Sequence, residues 1–88
     1  MIVLIDKSLE KDVRKIKDES VKKVLAEIIQ EIQNAGRLTD IIHLKKLQGT
    51  KNCFRIRIGD YRLGLIVNGQ KVELIRLLHR KEIYRYFP

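Results

Sequence analysis

Phe54-Arg-Ile-Arg-Ile58, Gly59-Asp60, Tyr61-Arg-Leu-Gly-Leu-Ile-Val67, Asn68-Gly69, and then Lys71-Val-Glu-Leu-Ile-Arg-Leu-Leu-His79 form the stretch that decides the fold. The first segment alternates apolar and charged residues without a break, the pattern of a half-buried strand. Gly59-Asp60 is a turn signal. Asn68-Gly69 is the strongest short hairpin signal in the chain, since a type I′ turn needs positive φ at both central positions. Three antiparallel strands follow: 54–58, 61–67 and 71–79.

Side chains alternate across a sheet, so the turns also fix which residues share a face. With Gly59-Asp60 as a two-residue turn, Ile58 faces Tyr61, Arg57 faces Arg62, Ile56 faces Leu63 and Arg55 faces Gly64. With Asn68-Gly69 as the second turn, Leu65 faces Val72, Leu63 faces Leu74 and Arg62 faces Ile75. One face then collects Phe54, Ile56, Ile58, Tyr61, Leu63, Leu65, Val72, Leu74 and Leu78. The other collects Arg55, Arg57, Arg62 and, further along, His79, with Glu73 the only acid in reach. Like charges directly opposite on a sheet destabilise it by up to roughly 1 kcal/mol. A solvated strand face explains one arginine; three together are better explained by a bound polyanion. Gly64 opposite Arg55 leaves a shallow place where a nucleotide backbone can approach.

The apolar face needs a cover, and the first half of the chain supplies it. Met1 to Ile5 is a short strand. Ser8 is the expected N-cap of a first helix, with Glu10 and Asp12 in the turn where the helix dipole favours acids and Leu9, Val13 and Ile16 at helical spacing. Asp18 or Ser20 caps a second helix, whose stripe is Val21, Val24, Leu25, Ile28 and Ile32. Gly36 is the expected stop. Residues 8–35 read as a helical hairpin, and residues 80–88 as a short basic, aromatic tail or helix. The order β-α-α-β-β-β is an α+β fold, with the hairpin on one face of a mainly antiparallel sheet.

Composition narrows the partners. The 88 residues carry 19 Lys+Arg against 11 Asp+Glu, a net charge of +8 that favours a polyanion. No run of about 18 apolar residues suits a membrane span and no signal peptide opens the chain, so the expected location is cytoplasmic and no membrane partner is expected. Cys53 is the only cysteine, which leaves no internal disulfide or Cys-based metal site. His43 and His79 lack ligand spacing, so no metal and no cofactor is expected.

Leu44-Lys-Lys-Leu-Gln-Gly49, Phe54-Arg-Ile-Arg-Ile-Gly-Asp-Tyr-Arg-Leu63 and His79-Arg-Lys-Glu-Ile-Tyr84 resemble successive blocks of the RelE/ParE superfamily of bacterial and archaeal toxins. The resemblance covers nearly the whole chain, as one RelE-like domain over residues 1–88. It implies a toxin of a type II toxin–antitoxin system that enters the ribosomal A site and cuts mRNA by attack of a ribose 2′-OH. It also implies a small acidic antitoxin resembling RelB and a toxin–antitoxin hetero-oligomer. Carried over by position, the site falls on Arg55, Arg57, Arg62, Arg80 and Tyr84, or on Tyr86 if the tail steps further. The two strand positions are lysine in some relatives and arginine here. Arginine stays protonated and suits phosphate clamping better than proton removal, so the general base is open, with His79 a candidate beside its reading as a satisfied strand-end residue. Lys45, Lys46 and Lys51 read equally as a solvated basic loop or as contacts to ribosomal RNA, and His43 as structural or ribosome-facing. The superfamily also holds ParE-like poisons of DNA gyrase, and a non-catalytic antitoxin-binding relative fits the arginine-for-lysine exchange. The complete basic cluster favours RNA cleavage.

Overall fold

The computed structural model describes residues 1–88. Its elements are β1 (Ile2–Ile5), α1 (Lys7–Lys15), α2 (Glu19–Asn34), a 3-10 turn (Leu38–Asp40), β2 (Leu44–Lys46), β3 (Cys53–Ile58), β4 (Tyr61–Asn68), β5 (Lys71–His79) and α3 (Ile83–Tyr86). The strands form one sheet in the order β1-β5-β4-β3-β2. β1 runs parallel to β5, and the other pairs are antiparallel. The expected α+β architecture is what the chain adopts.

Both helices of the hairpin start on an aspartate. Asp6, not Ser8, caps α1, its carboxylate accepting the Ser8 N–H at 3.0 Å. Asp18 caps α2 in the same way through Ser20, at 2.9 Å. Gly36 follows the end of α2 as expected but without a left-handed backbone; its N–H donates to the Asp40 carboxylate at 3.2 Å. Leu9, Ile16, Val21, Leu25 and Ile32 are buried against Ile56, Ile58, Leu63, Leu65, Val72, Leu74 and Leu77 of the sheet. Val24 sits at the margin of this stripe and is exposed.

The β3–β4 register is the expected one, from Ile58 against Tyr61 to Arg55 against Gly64. The β4–β5 register is not. Asn68 still pairs, with Lys71, so the turn is Gly69-Gln70, and positive φ falls on Gly69 alone. A bulge follows: Leu65 pairs with Leu74 but Gly64 pairs with Arg76, leaving Ile75 as an extra residue on β5. One extra residue exchanges the faces beyond it. Leu77 therefore takes the core position expected of Leu78, Leu78 lies opposite Arg62 on the other face, and His79 lies opposite Tyr61 on the helix side.

β1 stops at Ile5, which leaves the outer edge of β5 open beyond Leu74. Residues of the α1 segment close it: the Ser8 hydroxyl donates to the Ile75 carbonyl at 2.6 Å, and the Asp12 carboxylate accepts the Leu77 N–H at 3.0 Å. An unpaired edge would otherwise be a template for another chain. The sheet's second face is also partly covered. Ile83 and Phe87 of the tail pack over Cys53, with Leu47, Ile66, Ile75 and Leu78 around them.

Candidate functional site

The β3–β4 hairpin sets Arg57 directly opposite Arg62, with Arg55 one alternation along on the same face. Both turnward guanidiniums converge on one carbonyl. Arg62 Nη1 donates to the Gly59 oxygen at 2.9 Å and to the Tyr61 oxygen at 2.8 Å, and Arg57 Nε donates to Gly59 at 3.4 Å. Gly59, at φ +57, turns the chain tightly there. The ion pairs of the molecule are Arg14–Glu10, Lys22–Glu19, Arg37–Asp40 and Arg76–Asp12, so none involves Arg55, Arg57, Arg62 or Arg80.

The tail completes the face. The Arg80 N–H donates to the Asp60 carbonyl at 2.8 Å, which ties the start of the tail to the β3–β4 turn. Burial, then the Arg57 and Arg55 charges, lower the Arg62 pKa below the usual arginine value; Arg80 adds to this and Tyr84 opposes it. Arg62 is thus the half-buried centre of a group made of three further arginines and one phenol. Tyr84 is 59 % exposed, open to a ligand on this face.

Four expected site residues land elsewhere, and one expected opening is filled. His79 is not on the arginine face: the bulge turns it to the helix side, its ring edge-on to Tyr61 at 5.9 Å, and its Nδ1 accepts the Lys81 N–H at 3.2 Å. Tyr86 lies over the β5 side of that face, away from the cluster, its ring under the Arg76 guanidinium at 5.2 Å. Lys45 and Lys46 lie on the edge strand β2 rather than in a loop; Lys45 pairs with Arg55 and extends the basic face, while Lys46 pairs with Phe54 and points the other way. The shallow place at Gly64 is filled by the chain itself: a Cβ there would meet the Phe87 ring at 2.6 Å. Lys51 is exposed between β2 and β3, and His43 is exposed just before β2 with φ +63. No three metal-ligating side chains converge, and no helix is long and apolar enough to cross a membrane.

One group had no signal in the sequence. Asp12, 5 % exposed, accepts from Arg76 Nε at 2.8 Å and Nη2 at 3.0 Å as well as from Leu77. Its place in the first turns of α1 suggested only a dipole partner; no local pattern pairs it with a residue 64 positions on.

A mixed sheet with a bare arginine face, a helical hairpin behind it and a short aromatic tail across it is the architecture of a small toxin. The model of the ParE toxin of the type II toxin–antitoxin system parDE matches residues 3–84, and the chain belongs to that family. Within it the chain is RelE-like: it is 43 % identical to Toxin RelE3 of Methanocaldococcus jannaschii over 89 residues, the whole of both chains. It superposes on a chain of the RelB–RelE antitoxin–toxin complex from Methanococcus jannaschii with a TM-score of 0.81 and 40 % identity, over 97 % of this chain and 99 % of that one. The archaeal RelE–RelB complex from Pyrococcus horikoshii OT3 shares the fold, with a TM-score of 0.72 at 23 % identity over 90 % and 93 % of the two chains.

Proposed function

We propose that this toxin is a ribosome-dependent endoribonuclease that cuts mRNA in the A site and is held inactive by a small acidic antitoxin of the RelB kind. The observation that carries the reading is the set of four arginines, Arg55, Arg57, Arg62 and Arg80, without a carboxylate partner. Three of them lie on one sheet face, and the fourth is tied to its turn. In the reaction a ribose 2′-oxygen loses its proton and attacks the adjacent phosphorus. The bond from phosphorus to the 5′-oxygen breaks, and that oxygen takes up a proton, leaving a cyclic phosphate and a 5′-OH. Arg62 and Arg57 are placed to hold the non-bridging oxygens through planar, two-point contacts as charge builds on them. Arg55 and Arg80 add charge at the flanks. Tyr84 is a non-arginine group whose charge acts on Arg62. It stacks on a base or exchanges the proton.

The test is a translating extract with added protein and mRNA ends mapped by primer extension. Codon-phased cuts are expected, and Arg62→Ala lowers their rate by about 10²- to 10³-fold, the usual cost of losing a preorganised charge donor. Intact mRNA with blocked DNA supercoiling assigns the chain instead to the gyrase poisons that the family's ParE name brings in. Intact mRNA with unaffected gyrase leaves an antitoxin-binding relative without catalysis.

The antitoxin part of the proposal is supported by relatives seen in complexes with RelB and by the +8 charge, which suits an acidic segment that folds on binding. It covers the arginine face or displaces the tail. Unchanged hydrogen-exchange protection of β3, β4 and Tyr84 on antitoxin binding overturns that placement. The cytoplasm is the compartment where such a target is met.

A further inference from the structure

A helix of four residues has no stability of its own, because its first turn fixes several residues for one hydrogen bond. α3 therefore owes its place to what it touches. Ile83 is fully buried, and the Phe87 ring lies on Gly64, where no other residue type leaves room. These apolar contacts hold the tail down, but greasy contacts tolerate rotation and slippage of a short helix. Tyr86 adds a directional contact. Its ring lies under the Arg76 guanidinium, and that guanidinium is itself immobilised by two hydrogen bonds to the buried Asp12. Arg76 sits beside the β5 bulge, so α1, the sheet edge and the tail meet at one cation.

The geometry of α3 gives this contact a consequence at the arginine face. Residues two apart on a helix point about 200° apart. With Tyr86 turned to Arg76, Tyr84 is turned away from it, exposed and electrostatically coupled to Arg62. A slip of one residue would break both placements.

We infer that Asp12 and Arg76 are positioning residues, which through the cation–π contact with Tyr86 hold α3 in the register that presents Tyr84 to the arginine face. The catalytic half of this rests on the nuclease reading above; the anchoring half does not. Cys53 makes the two separable. It is the only thiol, it is 7 % exposed, and it lies beneath Ile83 and Phe87, so its alkylation rate reads tail release without any RNA.

Two variants test the anchor. Tyr86→Leu removes the stacked ring and leaves the Asp12–Arg76 pair intact. Arg76→Lys keeps the charge but loses the planar two-point contact to Asp12 and the guanidinium that lies over the ring. Each is expected to speed alkylation of Cys53 roughly two- to fivefold, the range of a cation–π contact at an exposed site. Each lowers single-turnover cleavage on programmed ribosomes by roughly tenfold, since misplacing a reacting group by about an ångström suffices for that. Tyr86→Phe, which keeps the ring, restores both. In a Tyr84→Ala background Tyr86→Leu has no further effect on cleavage, because its action passes through Tyr84. Unchanged Cys53 reactivity in both variants overturns the inference. So does an equal fold-loss of cleavage in the two backgrounds, which marks a purely structural role. A Cys53 response together with no cleavage by the unsubstituted protein supports the anchor and overturns the nuclease reading.

Discussion

Arg57 and Arg62 face each other across β3 and β4 with only the Gly59 carbonyl between them. Such a pair is kept at a cost to the folded state, and the cost has a measurable sign. Arg57 is exposed, and its one hydrogen bond is long, at 3.4 Å, so little is lost with its side chain. Arg57→Gln is therefore expected to raise stability by about 0.5–1 kcal/mol at low salt, the range for like charges opposite on a sheet. The gain shrinks as salt rises, because the charges are within reach of screening ions. RNA cleavage falls in the same variant. Denaturant melts at two ionic strengths check the first claim, and the primer-extension assay checks the second. A variant both less stable and less active would mean that Arg57 has a structural partner rather than a ligand to wait for. Arg62 does not offer the same experiment, because it is half-buried and donates to two carbonyls, so its removal mixes relief of repulsion with loss of hydrogen bonds.

At the level of elements, α1 and α2 both begin on a charged cap. Asp6 and Asp18 titrate below the usual carboxylate value of 3.8, first because the Ser8 and Ser20 hydroxyls donate to them and then through the backbone N–H groups of the same serines. The folded chain thus keeps both charges to lower pH than the unfolded chain does. Their contribution is complete above about pH 5 and is lost as the pH falls below the usual carboxylate value and through the depressed one. Calorimetric melts from about pH 5 to pH 2 should fall more steeply for the unsubstituted chain than for the Asp6→Asn, Asp18→Asn variant. Parallel curves would show that the caps do not titrate as argued. The Asp18 cap also marks where local reading works, although the start of α1 was placed at Ser8, two residues past its true cap Asp6. A helix start, an alternating strand such as 54–58 and a tight turn at Gly59 are written in neighbouring residues, and so was the Arg55, Arg57, Arg62 face. The β5 bulge is not local. The extra residue Ile75 lies where Ser8 and Asp12 bond the sheet edge, from distant parts of the sequence, and its presence moved Leu78 and His79 each to the face opposite the expected one. β2, at three residues, is too short to show a period, and nothing near Gly64 announces that Phe87 fills it.

For the molecule as a whole, the question is whether its +8 charge acts as a diffuse cloud or through one face. Lys11, Lys15, Lys17 and Lys23 are exposed on and between the hairpin helices, behind the sheet from the arginines, so a diffuse field and a focused one place the useful charge on different sides. Salt separates them. A protein that neutralises phosphates releases counterions, and the logarithm of its affinity for a single strand falls with the logarithm of salt at about 0.7 per phosphate. Binding of a short single-stranded RNA should therefore show a slope set by the arginine face. Replacing Arg55 or Arg80 by glutamine is expected to reduce that slope by about 0.7, while glutamine at Lys17 or Lys23 leaves it within error. Equal reductions from both sides would mean that the charge works by number alone. In that case the convergence of Arg57 and Arg62 on Gly59, and the tail held across their face, would need another ligand to explain them.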